Sequence, residues 1–230
     1  MSLILNLETS STNCSVALAK NGTTVAYKGL NEGFSHSENL MLFIEDVLKQ
    51  ASIKLEGIDA VAISSGPGSY TGLRIGVSAA KGFCFGLKVP LIAVNSLLVL
   101  TEAVYKLQKH DSETMFLPLF DARRMEVYSA VFDASGKMIE TTAATIIDEH
   151  SFENLKSNHD VFYFGDGANK CEPYFLQFEN FKFIEGIIPS AQHMAGVSYQ
   201  KYRNKEFEDV AYFQPNYLKE FHTTAKIKEV

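Results

Sequence analysis

Cysteine is scarce and scattered. Cys14, Cys84 and Cys171 are the full set, with no Cys-x-x-Cys pair. That excludes a disulfide framework and a cysteine zinc site, and it predicts a reduced, cytoplasmic setting. No apolar run approaches the roughly 18 residues of a membrane span. The amino terminus, Met1-Ser2-Leu3-Ile4-Leu5, lacks the basic stretch of a secretory leader, so none is expected. Positive charge is in deficit: 21 Lys and Arg stand against 27 Asp and Glu, a net charge of −6. A stand-alone nucleic-acid-binding domain needs a basic footprint. The one basic cluster near the tail is Lys226-Ile227-Lys228, so the isolated chain is expected to bind nucleic acid weakly and in a salt-sensitive way. Histidine supplies no metal motif, because His36, His110, His150, His159, His193 and His222 never stand four apart. Gly-Lys-Ser/Thr is absent, so there is no Walker A loop.

What the chain has is a dense glycine stretch. Ser64-Ser65-Gly66-Pro67-Gly68-Ser69-Tyr70-Thr71-Gly72-Leu73-Arg74-Ile75-Gly76 follows the apolar run from Ile58 to Ile63. An apolar run ending in Gly and Pro reads as a buried strand, so the pattern predicts strand, tight turn and helix. Ser69 or Thr71 is placed to cap that helix. A turn at the carboxyl end of a buried strand points N–H groups into a crevice. Gly66-x-Gly68-x-x-x-Gly72 has one residue too many for the dinucleotide fingerprint. The helix carries Gly72, Gly76, Gly82 and Gly86, each costing about 1 kcal/mol against alanine. That implies close approach by another backbone or by a ligand. A packing turn without a ligand is the competing reading.

In chain order, Leu3 to Leu7 reads as a strand ending on the polar turn Glu8-Thr9-Ser10-Ser11-Thr12-Asn13. Cys14 to Ala19, the turn Asn21-Gly22 and Thr23 to Tyr27 form a hairpin. Ser35 and Glu38 have capping-box spacing for a helix to about Ile53. Leu40, Phe43, Ile44, Val47, Leu48 and Ala51 share one of its faces. The strand Val89–Val94 leads into a helix from Ser96 to about Gln108. Then the pattern recurs. Met115 to Phe120 is a strand, Asp121-Ala122-Arg123-Arg124 an acid-bearing turn, and Glu126–Phe132 and Lys137–Thr142 a hairpin. A helix near Ser151–Ser157, the strand Val161–Phe164 and the turn Gly165-Asp166-Gly167 complete it, and a helix from Ala191 to Tyr202 follows. Glu8 matches Asp121, and Gly66-Pro67-Gly68 matches Gly165-Asp166-Gly167. The repeat implies a duplicated α/β fold, residues 1–110 and 111–230, with a cleft between two mixed-sheet subdomains.

An acid-bearing turn after the first strand of a duplicated fold resembles the actin-like ATPase (ribonuclease H-like) superfamily. More narrowly, Leu5-Asn6-Leu7-Glu8-Thr9-Ser10, the stretch from Ser64 to Arg74 and Pro215-Asn216-Tyr217-Leu218 resemble the bacterial TsaB (YeaZ) family almost end to end. The resemblance implies an accessory subunit in making N6-threonylcarbamoyladenosine in tRNA. Its implied partners are the paralogue TsaD, which carries the catalytic metal, and the ATPase TsaE, with tRNA reached through the complex. TsaC supplies threonylcarbamoyl-AMP. It implies no cofactor bound tightly by this chain, with ATP and magnesium confined to the assembled complex. Ser10, Gly66, Gly68, Ser69 and Thr71 are the residues placed to touch nucleotide there. TsaD carries two metal-binding histidines four apart; aligned here, they fall on Ser96 and Leu100, neither a useful ligand. No catalytic residue and no metal site are therefore expected.

Two other functions fit parts of the sequence. A glycoprotease-like peptidase needs a paired nucleophile, and Cys14, Cys84, Ser69 and Tyr70 have no evident base. A small-molecule kinase or ATPase could use Asp121 or Asp166, although turn-capping is the plainer role for both. The helices Ser37–Ile53 and Thr71–Leu87 are apolar beyond one face. Met41, Leu42, Ile75 and Phe85 lie off the core stripes, which suggests a partner surface for TsaD or for a homodimer of the chain.

Overall fold

A computed structural model describes residues 1–31, 33, 35–107, 110–156 and 159–219, apart from the side chain of Lys106. The cluster Lys226-Ile227-Lys228, His222 and the expected helix ends at Gln108 and Ser157 lie outside the described residues. Among the described residues, no helix is long and apolar enough to cross a membrane.

The first sheet holds β1 (Leu3–Glu8), β2 (Cys14–Lys20), β3 (Thr23–Leu30), β4 (Ala60–Ser64) and β5 (Leu91–Val94), in the order β3-β2-β1-β4-β5. The second holds β6 (Met115–Asp121), β7 (Glu126–Phe132), β8 (Met138–Ile146), β9 (Val161–Phe164) and β10 (Phe181–Ile184), in the matching order β8-β7-β6-β9-β10. In each, the first strand pairs antiparallel with the second and parallel with the fourth. This is the duplicated actin-like arrangement of two mixed sheets that the sequence implied. β1 and β4 are buried along their whole length, which is why they read as apolar runs with no alternation. Asn21 and Gly22 both take positive φ, as the tight hairpin turn requires.

Five helices pack on these sheets: α1 (His36–Ala51), α2 (Tyr70–Leu87), α3 (Ser96–Leu107), α4 (Ala168–Phe175) and α5 (Ala195–Asn204). On α1, Leu40, Phe43, Ile44 and Val47 are buried where the helix packs on β2 and β3, each contributing about 1.5–3 kcal/mol. Leu73, Val77, Ala80 and Cys84 are buried on α2, which packs chiefly on β4. α3 and α5 are exchanged. Leu97, Leu100 and Val104 of α3 pack on Phe116, Phe120 and Phe132 of the second sheet. A 3-10 turn, Ala191–Met194, and α5 return to cover Ile4, Ala17, Ile92 and Val94 of the first.

Local chemistry differs from expectation in several places. Ser35 makes no side-chain cap; its hydroxyl accepts from the Asn39 amide instead, and α1 stops at a left-handed Ser52. Ser69, not Thr71, caps α2. Asn95 rather than Ser96 caps α3, its Oδ1 accepting from Leu97 N and Leu98 N, since Ser96 faces inward. The helix expected near Ser151 is a single 3-10 turn, Glu153–Leu155, opened by Phe152 at φ 58°. α4 and β10 were not foreseen, because Pro173 interrupts one and the other is four residues long.

Candidate functional site

β1 and β4 end side by side, and so do β6 and β9, so each sheet ends in a glycine turn with an acid-bearing turn beside it. The loop after β4 is held by its own chain. Gly66 N donates to Ser96 Oγ at 3.0 Å, Ser69 N to Ser10 O at 2.7 Å, and Ser65 N to Val94 O at 2.8 Å. Ser69 Oγ accepts from Gly72 N at 3.3 Å. Gly66 lies at φ +104°, and a Cβ there would stand 2.9 Å from Asn216 O. Gly68 lies at φ +153°, and its Cβ would collide with Ser10. The glycines are thus accounted for by close backbone approach. Of the residues placed to contact nucleotide, Ser10 is buried, Ser69 caps α2, and Thr71 is exposed on the first turn. The amides of Gly66 and Ser69 are thus already bonded within the chain.

Glu8 pins the turn to the loop. Its Oε1 accepts from Ser10 N at 2.6 Å and from Ser64 Oγ at 3.0 Å. Its Oε2 is buried with no hydrogen-bond partner among the described residues. Burial pushes the carboxyl above its ordinary range, despite the hydrogen bonds that pull the other way. His36, at the start of α1, sets Nε2 2.8 Å from Ser11 O, and burial holds its imidazole below the usual value.

The corresponding turn of the second half is wet. Asp121 Oδ1 accepts from Lys170 Nζ at 2.6 Å and from Arg123 N at 2.5 Å. Asp166 Oδ1 accepts from Asp121 N at 2.9 Å, and burial raises the Asp166 carboxyl. Both acids are occupied in capping these turns. Among the described residues, no three His, Cys, Asp or Glu side chains converge as a metal would need. Ser96 and Leu100 are fully buried. Cys14, Cys84 and Cys171 are buried too; burial pushes the first two thiols to about 11 and the third to about 12, so none offers a thiolate nucleophile.

A strap joins the two halves. Glu208 bridges to Leu91 at the edge of β5, and Lys81 Nζ donates to Ala211 O and Phe213 O. Asn216 N donates to Ser65 O at 2.7 Å. Tyr217 packs on Tyr70 with ring centroids 4.9 Å apart, and Lys219 reaches Glu126 in the second half. The contact of Tyr217 with Tyr70 and Arg74 was invisible in sequence; only the i, i+4 spacing of Tyr70 and Arg74 hinted at it.

The outer faces of α1 and α2 carry large apolar residues among polar ones such as Glu38, Glu45 and Ser78. Met41, Leu42 and Phe85 are 49%, 56% and 83% exposed. Ile75 differs from expectation: it is half-buried against the first core rather than turned outward. Gly82 and Gly86, unlike Gly66 and Gly68, face open space.

The family described as TsaD, tRNA N6-adenosine threonylcarbamoyltransferase, matches residues 33–225. The tRNA threonylcarbamoyladenosine biosynthesis protein TsaB of Escherichia coli K12 is 27% identical, over 94% of this chain and 94% of that protein. Its namesake from Buchnera aphidicola subsp. Schizaphis graminum is 34% identical, over 81% of this chain and 91% of its own length. Among solved structures, YeaZ from Pseudomonas aeruginosa superposes with a TM-score of 0.78 at 26% identity, covering 95% of this chain and all of that one.

Proposed function

The chain belongs to the TsaD family of tRNA N6-adenosine threonylcarbamoyltransferases, within its TsaB (YeaZ) branch, and on that premise we propose that it is an accessory, non-catalytic subunit. It takes part in tRNA threonylcarbamoyladenosine biosynthesis. Its task is to bind and support the catalytic paralogue TsaD, together with TsaE, in the cytoplasm, for tRNAs that read codons beginning with A. It holds no nucleotide tightly by itself; any ATP and magnesium belong to the assembled complex.

The outer face of α1 and α2 carries this reading. Leu42 on α1 and Phe85 on α2 stand exposed there, and among the described residues nothing fills the space in front of Gly82 and Gly86 of α2. A glycine helix face with open space in front of it suits a second helix at close range, and large exposed apolar residues supply anchors. A paralogue with the same two helices would pack against them about a pseudo-two-fold axis, and a homodimer of the chain would compete for the same face. Buried Ser96 and Leu100, where TsaD has its histidines, support the non-catalytic part. Peptidase activity finds no thiolate. A kinase reading finds the amides of Gly66 and Ser69 already bonded.

The test is Leu42→Glu, assayed by pull-down with TsaD from the same cell and by thermal melt of the single chain. Binding is expected to weaken by about 2 kcal/mol, roughly thirtyfold, with the melt unchanged. Full binding removes Leu42 from the interface. A collapsed melt would place it in the core.

A further inference from the structure

Arginine is distributed unevenly over the surface. The chain has four arginines, Arg74, Arg123, Arg124 and Arg203. Three of them flank the strap. The Arg74 guanidinium lies 4.5 Å from the Tyr70 ring centroid and is hydrogen-bonded to Tyr217. Two residues further on, within about 7 Å along the chain, Lys219 reaches the Ala122 carbonyl and sits 5.9 Å from the Tyr128 ring centroid. Arg123 and Arg124 follow Ala122 directly. Both are exposed, and among the described residues no carboxylate pairs with any of the three arginines.

The turn that presents Arg123 and Arg124 is strained. They lie at φ 70° and 51°, a conformation that hairpin turns normally give to Asn-Gly. Each non-glycine residue held there costs on the order of 1–2 kcal/mol, and such strain gathers where a side chain must be aimed. Two nearby acids are already answered, Asp121 by Lys170 and Glu126 by Lys219, while Asp166 accepts from Asp121 N and forms no ion pair among the described residues. The result is a band in which cations alternate with aromatic rings: Tyr70, Arg74, Tyr217, Lys219, Tyr128, Arg123 and Arg124. It stands on a chain whose net charge is −6.

Alternating cations and aromatic rings on an otherwise acidic surface match the requirements of an RNA strand. Its phosphates need fixed, unpaired guanidiniums, and its bases need ring faces to stack on. We propose that this band is an RNA-contact surface, with Arg74, Arg123 and Arg124 taking backbone phosphates and Tyr217 offering a stacking platform. The inference rests on the reading of the chain as a subunit for tRNA modification. It gives that subunit a direct hold on the RNA, beside its hold on the partner.

The experiment titrates labelled unmodified tRNA against the purified chain, and against its mixture with TsaD, across a range of salt. Wild type is expected to bind in a salt-dependent way. The triple variant Arg74→Ala/Arg123→Ala/Arg124→Ala is expected to bind about tenfold more weakly at low salt, with the log–log salt slope reduced by about 2. Arg123→Ala/Arg124→Ala, which leaves the Tyr70–Arg74–Tyr217 stack intact, should reduce the slope by about 1; Arg203→Ala should change nothing. An unchanged slope in the triple variant overturns the proposal, as does the absence of tRNA binding by both chain and mixture. Loss of TsaD capture with tRNA binding intact also overturns it, in favour of acidic groups on a protein partner. Arginine-dependent tRNA binding by a chain that fails to capture TsaD sustains the band and defeats the accessory-subunit reading. Intact capture with an unchanged slope does the reverse.

Discussion

Glu8 and Asp121 end equivalent strands of the two halves, and their carboxyls live in different media. Glu8 is fully buried, braced by Ser10 N and Ser64 Oγ, and among the described residues forms no ion pair. Asp121 is 44% exposed and holds the Lys170 ammonium. The backbones behind them are alike: Gly66 and Gly165 stand at φ +104° and +103° after β4 and β9. Duplication copied the positions and left the chemistry to burial. An ionised carboxylate without a partner is costly in an apolar interior, so the first half keeps its acid as a packing group that favours a proton. The second half, open to water, keeps an ion pair.

Breaking the close packing of the first half should have the largest effect. Gly68→Ala drives a methyl into Ser10 and imposes φ +153° on alanine. Stability should fall by about 3 kcal/mol in urea denaturation. Gly167→Ala, at the matching turn, keeps an ordinary φ of −82° and meets the Phe120 backbone at 2.8 Å where Gly68→Ala meets Ser10 O at 2.3 Å, so it should lose less. Equal losses would erase the contrast.

Glu8→Gln sharpens it further. The folded-state value of Glu8 is raised above its unfolded value near 4.5, so the unfolded chain releases its proton first as pH rises. Stability from this group is full below about 4.5 and is lost as pH climbs through the raised value. Ser10, Ser64 and Cys14 surround the carboxyl, and the Cys14 thiol, at about 11, stays protonated across that window. The variant should be flatter with pH than wild type, and more stable above the window by about 1 kcal/mol. Melts at paired pH values check this, and parallel curves would show Glu8 to be ionised or solvated in the fold. The smallest effect is expected on the wet side. Asp121→Asn disturbs a solvent-screened pair, so its loss should stay under about 1 kcal/mol at every pH. A loss as large as that of Gly68→Ala would mean the second turn is as tightly built as the first.

Much of this was legible in sequence because the signals were local. The duplicated strands showed as apolar runs, the α1 core stripe as a 3.6-residue period, and the Glu8–Asp121 correspondence as a repeated order of turns. Ile75 misled because helical phase alone does not report how far a neighbouring core spreads around a helix. Ser96 misled because a good cap residue was drawn off by Gly66 N, a partner thirty residues away. The exchange of α3 and α5, the strap and the arginine band stayed hidden for the same reason: each joins segments that only the tertiary fold brings together.

The exchange also has a consequence in time. Ribosomes release the amino-terminal half first, and domains commonly fold as they emerge. Here the face of the first sheet formed by Ile4, Ala17, Ile92 and Val94 meets Val99 of α3 early but gains the rest of its cover only with residues 191–204. The edge of β5 waits for Glu208, and the Gly66 turn for Asn216. A nascent chain stalled near residue 190 would therefore carry a partly bare apolar sheet face and an unpaired strand edge. It would remain a client for chaperones until its last residues leave the exit tunnel.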